Sequence, residues 1–183
     1  KRYADKLVKV WRKNGDEEWV LIHIEVQSQR KSGFAERMYI YNYRLFDRYH
    51  RRVASLAVLG DEQATWRPDH YEQGLWGCRT QFDFPVVKLL DYRGYYGCHE
   101  DWGALEKSRN PFATIVMAHL KTQETRYDDA QRQTWKFRLI RRLYEHGYTR
   151  EDIIGLFRFI DWLMRLPEEA EAALWHEIRE YEE

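Results

Sequence analysis

Residues 4–12 alternate apolar and polar positions and include β-branched side chains, which predicts a strand. Asn14-Gly15, within 13–17, supplies positive φ cheaply and predicts a turn. A second alternating run, 18–27, completes a hairpin. Its Val20, Ile22, Ile24 and Val26 share one face, and Trp19, Leu21, His23, Glu25 and Gln27 share the other. The period then changes. Phe34, Met38, Tyr41, Leu45 and Tyr49 recur at helical spacing and predict an amphipathic helix over 33–49. The apolar run 53–59 predicts a buried strand. Strand, helix and strand in that order predict a right-handed crossover. Residues 60–80 read as irregular, 84–90 as a further strand, and 92–97 as a Gly/Tyr loop.

The remainder reads as helical. Asn110-Pro111 is an N-cap and N1 pair for a helix over 111–122. Residues 129–146 carry Trp135, Leu139 and Leu143 on one side and end at Gly147. Thr149 with Asp152 resembles a capping box, opening a helix over 150–166 that Pro167 stops. An acidic helix over 168–182 follows. No repeat and no linker interrupts the pattern, so one unit is expected: an α/β core over 1–95 and a helical extension over 96–183.

Length and composition narrow the function classes. A chain of 183 residues with 44% hydrophobic content buries a core without disulfide or metal staples. No apolar run reaches the length of a membrane span, and Lys1-Arg2-Tyr3-Ala4-Asp5 opens no secretory signal. A cytoplasmic setting is therefore expected, with Cys78 and Cys98 as ordinary reduced residues. The 30 basic and 30 acidic residues cancel, so any nucleic-acid contact has to come from a local patch. The 30–52 stretch is such a patch: seven basic residues against Glu36 and Asp47 leave a local charge of +5. It reads either as a phosphate-tracking surface or as a solvated face paired to the acidic C-terminus. Tyr39 and Tyr43, one helical turn apart, are candidates for base stacking or core packing. Arg132, Lys136, Arg138, Arg141 and Arg142 read as a helix face with intrahelical partners. Trp66, Trp76 and Trp102 read as a minor core, and His99-Glu100-Asp101 as a helix start.

The hairpin carries the candidate chemistry. If its turn centres on Gly15, paired residue numbers sum to 30, and Asp5 lies opposite Glu25, Leu7 opposite His23 and Lys9 opposite Leu21. Like charges in direct opposition are destabilising unless a cation sits between them. Mg²⁺ takes carboxylate oxygens in this way, and can activate water and clamp a phosphodiester oxygen. His23, on the same face, reads as a half-buried structural histidine or as a metal ligand.

Asp5, the strand Ile22-His23-Ile24-Glu25-Val26-Gln27 and the helix opening Phe34-Ala35-Glu36-Arg37-Met38-Tyr39 resemble the PD-(D/E)XK nuclease core. More narrowly they resemble the recombination-promoting nuclease and transposase-like family, over residues 3–60. Phe157-Arg158-Phe159-Ile160-Asp161-Trp162-Leu163 is similar too, without adding chemistry. The resemblance implies a restriction-endonuclease-like mixed sheet with a crossover helix and a helical C-terminal extension. It implies a Mg²⁺-dependent DNA endonuclease, with Mn²⁺ as a substitute. Asp5 and Glu25 become metal ligands, Gln27 takes the place of the family's Lys, and Lys9 is a stand-in for that lost charge. Arg37, Arg44 and Tyr43 are candidate substrate contacts. A homodimer would suit cleavage of both strands.

The chain departs from the family at Ala4, where the family has Pro, and at Gln27. The family's helix and first strand ahead of the Asp are expected to lie outside this sequence. The alternative expectation is a catalytically degenerate nuclease fold acting as a DNA-binding or assembly module.

Overall fold

The computed structural model describes residues 6–11, 17–93 and 102–182, and the side chains of 20–93 and 102–181. The chain is mixed α/β and divides into two compact units, Lys1–Leu90 and Asp91–Glu183.

In the first unit, β1 (Lys6–Trp11) and β2 (Glu17–Gln27) form the expected antiparallel hairpin. Helix α1 (Phe34–Tyr49) then carries the chain to β3 (Val53–Leu59), which runs parallel to β2. Strand β6 (Val86–Lys88) adds parallel to β3, so the sheet order is β1-β2-β3-β6. The predicted strand over 84–90 is thus shorter, and Leu89–Arg93 turns into a 3₁₀ helix.

Two expectations need correction here. The hairpin register sums to 28, not 30: Leu7 faces Leu21, Val8 faces Val20 and Lys9 faces Trp19. An even shift keeps each residue on its face but slides β1 along β2. The stretch 60–80 is also not irregular throughout. It contains β4 (His70–Leu75), which pairs with β5 (Cys78–Asp83) in a separate two-stranded ribbon.

The faces of β2 sort unexpectedly. Helix α1 covers the side bearing Leu21, His23, Ser55, Ala57 and Leu59, all buried. Phe34 and Met38 insert there and pack with Ala57, Leu59 and Phe84, flanked by Trp66 and Phe82. The opposite face holds Ile24, 47% exposed, and Val26, 63% exposed. Gly33, at φ 72°, closes the turn into α1, and no side chain caps that helix. Glycine suits the left-handed conformation there.

The second unit packs α2 (Trp102–Lys107), α3 (Pro111–Glu124), α4 (Asp129–Glu145), α5 (Arg150–Leu163) and α6 (Glu168–Glu182) around Met117, Leu120, Ile140, Leu143, Ile160 and Met164. The predicted caps form. Asn110 Oδ1 accepts from Phe112 N, and Thr149 Oγ1 accepts from Asp152 N. The basic set on α4 is used differently from the intrahelical pairing expected. Arg141 to Glu145 and Arg132 to Asp129 are ion pairs within the helix, and Arg138 lies over the Trp135 ring one turn back. Lys136 is buried and bonds Asp161 and Glu171 at 2.8 Å each. Arg142 is buried and donates to the carbonyls of Leu105, Glu106 and Ser108. These side chains tie helices together. His99-Glu100-Asp101 and Cys98 lie outside the described residues. Among the described residues, no helix is long and apolar enough to cross a membrane.

Candidate functional site

Strand alternation puts His23, Glu25 and Gln27 on the covered face of β2, approaching its carboxyl end. In sheets with parallel strands, ligands gather beyond the carboxyl ends. Glu25 is opposite Ala57 and Gln27 opposite Leu59, so small and aliphatic neighbours leave the two polar groups facing α1. Arg37, one turn into α1, meets them there. Its Nη2 donates to Glu25 Oε1 at 3.1 Å and to Gln27 Oε1 at 2.6 Å. Both charged side chains of the ion pair are only 16% exposed, so water screens the contact weakly. Arg37 Nε is also shielded and has no hydrogen-bond partner among the described residues. Gln27 Nε2 donates onward to Gln29 O at 2.7 Å.

Deeper in, His23 Nδ1 sits 3.1 Å from Ser55 Oγ, which also accepts from Asn42 Nδ2 at 3.1 Å. His23 Nε2 lies 4.0 Å from Glu25 Oε2, and Tyr41 meets the imidazole edge-on. The order serine, histidine, glutamate has the composition of a nucleophilic triad. Ser55 and His23 are both buried under α1, however, so no substrate carbonyl reaches the hydroxyl. Through Asn42, which also donates to Val53 O, the network ties the helix to the sheet.

Sequence reasoning brought Glu25, Gln27 and Arg37 to one place, and the structure does join them. Arg37 was expected to hold substrate; here it bridges the two strand residues. Arg44 and Tyr43 lie exposed farther along α1, with Tyr43 stacked on Tyr39 at 6.5 Å. Tyr39 is the packed member of that pair, stacked on Tyr71 at 5.1 Å. Lys9 is moved away: its partner Trp19 is six positions from Glu25, about 20 Å along the strand. Asp5, and with it the Asp5–Glu25 pairing, lies outside the described residues. Among the described residues, no group of three or more His, Cys, Asp or Glu is arranged to hold a metal.

Sequence reasoning missed Asp61 and Lys88. Lys88 lies level with Leu59 and so with Gln27 across the sheet. Its Nζ is buried, 2.6 Å from Asp61 Oδ2 and 2.9 Å from Gln63 O, beside the Trp66 ring. This pair pins the segment after β3, and with it Trp66 on the core. Beyond the start of α1 lies a cleft of about 400 Å³ whose lining includes Arg30, Lys31, Ser32, Gly33, Trp66 and Tyr71. It places two cations of the +5 stretch at the same end of the sheet as Glu25. No protein-family model, curated protein or solved structure matches this chain.

Proposed function

We propose that this chain is a Mg²⁺-dependent DNA endonuclease with a restriction-endonuclease-like core, acting in recombination or on mobile elements. The observation that carries this is Glu25 and Gln27 together on the covered face of β2, toward the carboxyl end of a strand that runs parallel to β3. The donor types fit the metal: Glu25 and Gln27 offer hard oxygens, as Mg²⁺ prefers. Asp5 and Glu25 would hold the ion, which supplies charge neutralisation and a more acidic water.

The chain's own residues do the rest. Gln27 replaces the lysine of the family pattern and brings no charge; Arg37 brings it from α1. The planar fork of a guanidinium has the shape to match two phosphate oxygens. Arg44, seven residues on and so about 10 Å along the helix, suits a neighbouring phosphate. Tyr43 offers an open ring to a base.

The test is nicking of supercoiled plasmid with Mg²⁺ or Mn²⁺. Wild-type protein is expected to nick, and Asp5→Ala and Glu25→Ala are expected to fall to background. Undiminished nicking by both variants removes those roles.

A second reading has one observation in its favour. Arg37 already engages an oxygen of Glu25 and the carbonyl oxygen of Gln27, as a cation would. A catalytically degenerate DNA-binding or assembly module would keep that pairing permanently. DNA binding without cleavage, and no heat on titrating Mg²⁺ or Mn²⁺, selects it.

A further inference from the structure

The cleft beside α1 is walled by the loop before the helix, the helix's first turn, the segment after β3 and the start of β4. Its volume of about 400 Å³ is that of a small-molecule site. The aromatic wall is held from behind. Trp66 meets Phe34 edge-on at 5.6 Å, and its carbonyl accepts from Lys88 Nζ at 3.3 Å. Tyr71 stacks on Tyr39 at 5.1 Å. Both rings keep part of their surface open.

The charged lining is uncommitted. Arg37 bonds Glu25 and Gln27, but among the described residues Arg30, Lys31 and Glu36 have no ion-pair or hydrogen-bond partner. Arg30 and Lys31 attract an anion. Glu36 narrows which one. Its carboxylate turns back toward Gly33, 3.9 Å from where a Cβ there would stand. It thus faces the first amides of α1, so the helix start is not what draws the anion. It also repels a bare anion that goes deeper. The whole lining suits a ligand with an anionic end, a flat ring and a neutral hydroxyl for that carboxylate. A nucleoside 5′-phosphate with a free 3′-hydroxyl has all three.

We propose that this cleft binds one such nucleotide. Arg30 and Lys31 take the phosphate, the base lies against Trp66 and Tyr71, and the 3′-hydroxyl donates to Glu36. A free nucleotide and the 3′-terminal nucleotide of a DNA strand share this chemistry. Binding here needs neither metal nor cleavage, so it stands apart from the nuclease reading.

The test is calorimetric titration of the full chain, without divalent metal. The probes are deoxyadenosine 5′-monophosphate, its 2′,3′-dideoxy analogue and inorganic phosphate. Wild-type protein is expected to bind the first about fivefold more tightly than either of the others. Arg30→Gln/Lys31→Gln, two exposed changes, should weaken it about tenfold. Glu36→Ala should erase the preference for the 3′-hydroxyl and tighten inorganic phosphate, a pair of effects that a merely structural role does not produce. No binding of the monophosphate by wild-type protein, equal affinity for inorganic phosphate, or undiminished binding by Arg30→Gln/Lys31→Gln overturns the site. Single-stranded overhangs then separate the two sources. A 3′-hydroxyl overhang that displaces the monophosphate better than a 3′-dideoxy overhang assigns the strand end. Overhangs that displace none of it assign the free nucleotide. Plasmid nicking without monophosphate binding removes this site alone, and monophosphate binding without nicking removes the nuclease reading alone.

Discussion

Lys88 and Asp61 meet at 2.6 Å with both side chains sealed from water, and the lysine's other protons go to the carbonyls of Gln63 and Trp66. A buried ion pair is weak evidence of net stabilisation, but removing one partner strands the other's charge. Asp61→Ala is therefore expected to cost about 3–5 kcal/mol in urea unfolding. The double variant Asp61→Leu/Lys88→Met should cost well under the sum of the two single changes. His70 makes an opposite case, on the surface. The Asp69 carboxylate 2.7 Å from its Nδ1 holds the imidazole pKa above a histidine's ordinary value, and the Asp69 carboxyl is held low in return. The raised histidine pKa and the lowered carboxyl pKa confine any stability from the pair to the pH range between them, and it is lost at low pH as Asp69 protonates. It also fades as pH rises through the raised histidine value. An NMR titration of the His70 ring should show the raised midpoint, and Asp69→Asn should return it toward the ordinary one. The buried pair was not legible in the sequence. Asp61 and Lys88 are 27 residues apart and carry no local signature.

At the scale of elements, legibility followed how local the signal was. Helix α1 was readable because Phe34, Met38 and Leu45 do line its buried face. The caps at Asn110 and Thr149 were readable because a cap is decided within three residues. The hairpin of β1 and β2 was readable as an alternation, but its register was not. Alternation fixes which face a residue takes and leaves slippage by two unconstrained. That slip carries Lys9 two positions farther along β2 from Glu25 than the expected register did. The β4–β5 ribbon escaped notice because Glu72, Gln73, Arg79 and Gln81 give it little apolar alternation, both sides of its outer part being wet. Its turn was hidden as well: Trp-Gly is an uncommon way to write a type I′ corner. The candidate site was half legible. Glu25 and Gln27 share a strand face by simple counting, and the resemblance pointed to them. The bond from Arg37 depends on how α1 lies on β2, which no spacing rule supplies.

Over the whole molecule the chain forms two units, each with its own core: one a four-stranded sheet with a helix and a ribbon, the other a helical bundle. In the first unit α1 shields His23, Ser55, Glu25 and Gln27, while the aliphatic Ile24 and Val26 meet solvent. A half-covered sheet commonly turns polar residues to solvent, whereas this one keeps its core on the covered face and still shows Ile24 and Val26 on the open one. An environment-sensitive dye should feel that exposed pair. ANS is expected to fluoresce with the fully folded protein, and Ile24→Thr/Val26→Thr should quench that signal while leaving the near-ultraviolet circular dichroism intact. Dye uptake is commonly taken as a mark of a loosened, molten state. For this chain it would instead report an oily pleat that belongs to the native fold, and only the dichroism would tell the two conditions apart.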